Sequence, residues 1–391
     1  MSQSKKNNRF VNQSELCVRE QKEAAELALL SPYAQLSSKS RGRLKPEEPC
    51  PTRTIFERDT GRIIYSLDFR RLRHKTQVFF NPRSDHVCTR IEHVYYVSYI
   101  ARMIGSGLGL NQNLIEAIAL AHDLGHAPFG HSGEAELNAL LRRSGADLLF
   151  QHEAHSLRVI DVLAERHGKR QGLNLSFEVR DGVASHCGEK YQEDHLIPMR
   201  NKTEQELLEG IRRHAMPATL EGCVVRIADR IAYLGRDIED AARAELMDFE
   251  DIPGEIQKVL GSSNAEIVNS LVNDVIAESK GENAIRLSAE KAECMADLLQ
   301  LNSLRIYRAE KVHKFEFIAR QYIDGLYQSF SESLQDPEAA RAKAFPALDA
   351  FLDFCADHPE PNCTNEQKIC DYIAGMTDSF ATQTFSQLYQ I

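Results

Sequence analysis

Tryptophan is missing from this 391-residue chain, and so is any apolar run near the ~20 residues needed to cross a bilayer. No membrane partner is therefore expected. Residues 1–9 are polar and lack the apolar core of a secretory leader. The nine cysteines include no C-x-x-C pair, which argues against a zinc knuckle and against a disulfide framework. So irregular a set fits a reducing compartment, and a cytoplasmic location is expected. No internal repeat or low-complexity tract interrupts the chain. A broad excess of basic charge is also lacking: the net charge is −10. Residues 1–90, however, hold 18 Lys+Arg against 10 Asp+Glu, a net of +8. One basic section in an acidic chain suggests a local anion site more than a nucleic-acid surface. Weak binding of single-stranded nucleic acid is the most that section implies, and it would fall steeply with salt.

What is present centres on residues 121–134, Ala-His-Asp-Leu-Gly-His-Ala-Pro-Phe-Gly-His-Ser-Gly-Glu. Three histidines, an aspartate and a glutamate crowd this stretch. The apolar segment before it is expected to be a helix, N-capped by Asn113 with Glu116 completing a capping box, and stopped by Gly125 and Pro128. A His122-Asp123 pair at a helix end can turn both side chains to one point. An imidazole nitrogen beside a carboxylate oxygen suits a divalent ion of intermediate hardness. The bland alternative for the pair alone is a histidine favoured by the negative end of the helix dipole.

Residues 1–52 are expected to hold a helix near 15–30 and then a linker or flexible arm over 37–51. In residues 53–80 arginines, Arg53 among them, recur beside aromatic and aliphatic residues, the composition preferred for bidentate phosphate recognition; a surface helix is the alternative. A helix over 89–104 carries an apolar stripe at Val97, Ile100, Ala101 and Ile104, with His93 near its start. Further helices follow at 134–143, where His131 and Glu134 can share a face, and from His152 to about residue 166. His186 is read as a surface residue first, with a place behind the site's ligands as the alternative. A long helix over 217–243 sets Asp229, Tyr233 and Asp237 one turn apart on a single stripe. Residues 254–391 read as helices and turns, with Tyr307 in a basic-aromatic spot. The expected class is all-α: an arm at 1–52, a catalytic core at 53–245 and a helical region at 246–391 packed on it.

The order His93, His122-Asp123, Asp229 resembles the H…HD…D signature of HD-domain metal-dependent phosphohydrolases. The segment RTIFERDTGRIIYS (53–66), the G-H-x-x-F-G-H-x-G-E run (125–134) and the Asp229-to-Tyr233 helix narrow the resemblance to the dNTP triphosphohydrolase branch. It covers roughly residues 50–245.

Several expectations follow from that resemblance. His93, His122, Asp123 and Asp229 would hold one divalent ion (Mn²⁺, Mg²⁺, Co²⁺, Fe²⁺ or Ni²⁺). A deoxynucleoside triphosphate such as dGTP would be split by water at the α-phosphorus into deoxynucleoside and triphosphate. His126, His131, Glu134 and His152 would handle protons and phosphate, with His131 paired to Glu134. Arg90 and Arg230 would bind triphosphate. Tyr233 and Asp237 would enclose the sugar, with Gln77 and Val78 closing its other side. A homo-oligomer would be expected. Around His152 the chain departs from the branch, with Gln151 and Glu153 where Glu and Asn are usual. Other readings are an HD phosphohydrolase acting on a monophosphate or alarmone-like nucleotide, or a nucleotide-sensing protein. The Gly-Tyr-Pro element of the cyclic-dinucleotide branch is missing.

Overall fold

The computed structural model describes residues 16–77, 88–187, 194–360 and 362–389. Within them the chain is built almost wholly of helices. The first nine are α1 (Val18–Leu29), α2 (Ile55–Tyr65), α3 (Leu67–Arg71), α4 (Arg90–Gly107), α5 (Gln112–Ala121), α6 (Gly130–Ser144), α7 (His152–Arg158), α8 (Phe177–Ala184) and α9 (Glu204–Gly210). The rest are α10 (Leu220–Arg243), α11 (Gly254–Leu260), α12 (Asn264–Ser279), α13 (Ala289–Asn302), α14 (Glu310–Gln335), α15 (Pro337–Ala342), α16 (Pro346–Ala356), α17 (Asn365–Ala374) and α18 (Asp378–Tyr389). Two-residue strands make two small antiparallel pairs, β1 (Glu165–Arg166) with β2 (Lys169–Arg170) and β3 (His195–Leu196) with β4 (Ile285–Arg286).

Helix α10 is the axis of the fold. It packs on α4, α5, α8 and α12, and nearly every residue from Leu220 to Ile238 is buried. Val94, Val97, Ala101 and Ile104 of α4, Ile115 and Ile118 of α5, and Ile227 and Ile231 of α10 form the centre of one apolar cluster. Each such side chain contributes roughly 1.5–3 kcal/mol. Thr89 and Glu92 close a capping box that fixes the start of α4, so His93 sits in its first turn. Asn111, not Asn113, caps α5, accepting from the amides of Asn113 and Leu114. The helix therefore starts two residues earlier than the capping pattern suggested.

A second apolar cluster joins α6 to α14, α16, α17 and α18 through Leu137, Leu141, Ile323, Phe330, Phe351 and Ile373. It also takes in Ala127 and Phe129 from the loop after His126. The C-terminal helices therefore pack on the loop that carries the central motif.

The expected flexible arm is instead pinned down. Arg43 pairs with buried Asp59, Ser40 donates to Glu178, and Glu47 accepts from Asn174 and Arg166. The Arg-rich block is used the same way. Arg62 donates to the carbonyls of Leu173 and Asn174 and pairs with Glu47, as does Arg58. These arginines hold the N-terminal segment against the core and do not form a phosphate site.

Candidate active site

His93 enters from the first turn of α4, His122 and Asp123 from the turn closing α5, and Asp229 from mid-α10. His93 Nε2 lies 2.9 Å from Asp229 Oδ1. His122 Nε2 lies 3.4 Å from Asp123 Oδ1 and 3.7 Å from Asp229 Oδ1. All four side chains are buried. His122 Nδ1 is 2.7 Å from the Ala119 carbonyl, which can only accept, so Nδ1 carries the proton. Its Nε2 lone pair then faces the carboxylates without a hydrogen-bond partner. A histidine fixed through one nitrogen and open at the other is arranged as a metal ligand.

Burial pushes the Asp123 carboxyl up, but His126, His122 and Arg90 outweigh it and hold it well below the usual carboxylate range. Of these, Arg90 is the permanent cation, because burial and Arg90 push His126 far below its ordinary value. Asp229 is also held low, against burial, by His93 and His122. Two buried ionised carboxylates beside one arginine leave local negative charge, and these residues fit a divalent ion.

The same point opens into a cavity of about 370 Å³, lined among others by Gln77, Arg90, His126, His131, His152, Asp229, Tyr233 and Asp237. Arg90, 1% exposed, donates from Nη1 to Asp123 Oδ2 at 2.9 Å, while its Nε and Nη2 have no partner among the described residues. Unmatched buried guanidinium donors on a cavity wall suit an oxyanion. Gly130, at φ 58°, makes room: a Cβ there would sit 3.0 Å from Arg90 Nη2.

Three imidazoles stand together on the opposite wall. His126 and His152 stack at 3.9 Å between centroids, and His131 lies 6.0 Å from each. The expected His131–Glu134 pair is not the one formed. Glu134 Oε2 lies 3.1 Å from His152 Nδ1 at the start of α7, whereas His131 is the more exposed of the cavity-lining imidazoles. Burial works against charge on His152, yet its imidazole is held well above the ordinary value. Burial pushes the neighbouring Cys187 thiol up to about 12, so at neutral pH Glu134 supplies the stabilising negative charge.

Lys75, Ser156 and Asp378 brace this wall. Lys75 Nζ donates to the carbonyls of His126 and Ala374 at 2.5 and 2.7 Å. Ser156 accepts from the Gly125 amide and donates to the His122 carbonyl. A Cβ on Gly125 would collide with the backbone at Ser156, which explains the glycine. Asp378 accepts from the amides of Phe129 and Thr76, each at 2.9 Å, and from the Thr76 hydroxyl at 2.8 Å.

At the far end, Tyr233 and Asp237 face the cavity beside Tyr307, whose hydroxyl donates to Asp237. Burial pushes the Asp237 carboxyl up to about 7 despite that bond.

Two expected substrate residues are not among those lining the cavity, and a third falls outside the description. Arg53 is exposed and does not line the cavity. Arg230 is buried in α10 and does not line it either. Val78 lies outside the described residues. Sequence reasoning missed Tyr307, Cys187, and Val312, Phe315 and Ala319 of α14, all of which line the cavity. It also misplaced His186, which is 1% exposed, its ring 4.9 Å from that of His122. The apolar run of α8 just before His186 was the available signal, since it carries the histidine inward.

The chain matches the HD domain over residues 90–234 and the phosphohydrolase-associated domain over residues 285–387. Proteins described as deoxyguanosinetriphosphate triphosphohydrolase-like are similar over nearly their whole length. One from Desulfatibacillum aliphaticivorans is 38% identical over 378 residues, 96% of this chain and 98% of the relative. One from Caldanaerobacter subterraneus subsp. tengcongensis is 39% identical over 372 residues, 95% and 96%. One from Geobacter sulfurreducens is 32% identical over 400 residues, 93% and 96%. Among the described residues no helix is long and apolar enough to cross a membrane.

Proposed function

The chain belongs to the HD-domain family of deoxyguanosinetriphosphate triphosphohydrolase-like proteins, and on that premise we propose that it hydrolyses a deoxynucleoside triphosphate to deoxynucleoside and triphosphate. The observation that carries this reading is one cavity lined by three chemistries. The His/Asp cluster lies at its floor, Arg90 with two open donors stands beside it, and Tyr233, Asp237 and Tyr307 form its far end.

His93, His122, Asp123 and Asp229 would hold a divalent ion, which would supply charge neutralisation at a phosphoryl oxygen. Arg90 Nε and Nη2 bind the oxygens of the triphosphate chain. The attacking water loses one proton and the departing 5′-oxygen takes one, so the transfer balances within the site. His152, oriented and kept basic by Glu134, carries that proton, with His126 stacked on it and His131 close by. Asp237 and Tyr307 meet the 3′-hydroxyl, and Tyr233 packs against the sugar. A 2′-hydroxyl pressed on that ring would lose its water partners without gaining new ones, which favours deoxyribose.

The test is to incubate the purified protein with each dNTP and NTP, plus Mg²⁺, Mn²⁺ or Co²⁺, and identify the products. Deoxynucleoside with intact triphosphate supports the reading. Monophosphate with pyrophosphate, or turnover of ribonucleotides alone, overturns it.

A further inference from the structure

We propose that His152, His186 and Cys187 form a second metal subsite on the cavity wall, selective for a soft divalent ion such as Zn²⁺ or Co²⁺. Three observations converge. First, one ligand atom from each residue lies within 4.8 Å of the other two. Second, His186 is already set up to ligate, and His152 needs only to give up its Nε2 proton. His186 Nδ1 lies 2.6 Å from the Val183 carbonyl, and the same logic as at His122 leaves Nε2 with the lone pair. That Nε2 is buried and has no hydrogen-bond partner among the described residues. His152 Nδ1 is held by Glu134, which leaves its Nε2 turned to Cys187 Sγ at 3.1 Å. Third, Cys187 and His152 both line the cavity, so an ion can reach them from the substrate side.

The chemistry separates this subsite from the first. Two carboxylates and two imidazoles accept harder ions, whereas a thiolate with two imidazoles favours Zn²⁺ and Co²⁺ and disfavours Mg²⁺. With bonds of about 2.3 Å to sulfur and 2.0–2.1 Å to nitrogen, tetrahedral geometry needs an N–S edge of roughly 3.5 Å, a few tenths more than the present gap. Binding displaces the thiol proton and the His152 Nε2 proton to solvent, and the ion takes their place between sulfur and nitrogen. One consequence rests on the role proposed above for His152: an ion here removes that imidazole from proton transfer, so Zn²⁺ should inhibit.

The full-length protein is stripped of metal, loaded with Zn²⁺ or Co²⁺ alone, desalted and analysed for bound metal. The wild type should hold two ions per chain. Cys187→Ser and His186→Ala should hold one, with unchanged melting temperatures once that ion is bound. The Co²⁺-loaded wild type should show a thiolate-to-cobalt charge-transfer band that Cys187→Ser lacks. X-ray absorption on the Zn²⁺-loaded wild type provides a check independent of any variant, and should show sulfur in the zinc shell. One ion per wild-type chain, a shell of nitrogen and oxygen only, or a band that survives Cys187→Ser would overturn the subsite. If His186→Ala weakens a single shared ion, His186 belongs to the first site and the proposal fails. In the activity arm, Zn²⁺ added to Mn²⁺-loaded enzyme should slow the wild type at least tenfold more than Cys187→Ser. Two ions without that difference would keep the subsite and overturn the role given to His152.

Discussion

Replacing Asp378 by alanine should damage catalysis from a position that touches no substrate. Its carboxylate holds two backbone amides and one hydroxyl of the segments flanking His126 and Gln77. The Phe129 amide is buried, and stranding it costs about 1–3 kcal/mol. Thr76 is half-buried, so water can replace part of what it loses, at about 1 kcal/mol. Phe129 also sits at φ 62°, a conformation that costs a non-glycine residue of order 1 kcal/mol and needs external support. That strain is present in both proteins, so the difference comes from the lost contacts and totals about 2–4 kcal/mol. At roughly 2.1 cal/mol/K per residue, that lowers the melting temperature by about 4 °C, leaving the protein folded at 25 °C. Catalysis should suffer more, because the 126–130 loop places His126 and the start of α6. A displacement of about 1 Å there costs on the order of 10²-fold. The assay is kcat/KM beside a melting curve and a metal count, with Asp378→Asn as an intermediate, since its amide can accept only some of the three bonds. An Asp378→Ala enzyme within twofold of wild type would refute the idea that the C-terminal helices hold the catalytic loop.

Other outcomes follow from the same geometry. His122→Ala should lose the first metal and all activity while keeping the fold, read by metal analysis and circular dichroism; full activity would remove the ligand assignment. Glu134→Gln and His152→Ala should each lower kcat by about 10²–10⁴-fold, with the ion count at the carboxylate site unchanged. Tyr233→Ala should raise turnover of GTP relative to dGTP, whereas Asp237→Ala should impair both, measured as paired kcat/KM values. Asp371→Ala should destabilise the protein by roughly 1.5–3 kcal/mol in urea unfolding, because buried His358 loses its carboxylate partner and half-buried Arg158 keeps only the exposed Glu360. Burial raises the Asp371 carboxyl, but His358 and Arg158 bring it down to about 2. With the folded value below the ordinary 3.8, the native state binds fewer protons. This pair's contribution is therefore full above about pH 4 and fades toward pH 2, so the variant's deficit should be the same at pH 5 and pH 8.

Much of the site was legible because its ligands come from strongly periodic helices. The Asp229–Tyr233–Asp237 stripe follows from 3.6-residue periodicity, and the apolar face of α4 places His93. Partner choice was not legible. Spacing allowed His131 to share a face with Glu134, but which imidazole meets that carboxylate depends on how α7 packs on α6, and helical spacing carries no such information. The Arg-rich block failed for a similar reason. Bidentate geometry serves carboxylates and loop carbonyls as well as phosphates, and Glu47 with the Leu173 and Asn174 carbonyls took Arg62, Glu47 also taking Arg58. His186, Tyr307 and Asp378 arrive from segments 50 to 250 residues away from His122, a range at which only tertiary packing decides proximity.

The most direct test of the central claim is hydrolysis of dGTP in ¹⁸O-labelled water by the metal-loaded protein, followed by mass analysis of both products. The account predicts one labelled oxygen in the released triphosphate and none in deoxyguanosine. Label in a nucleoside monophosphate, or in deoxyguanosine itself, would contradict it.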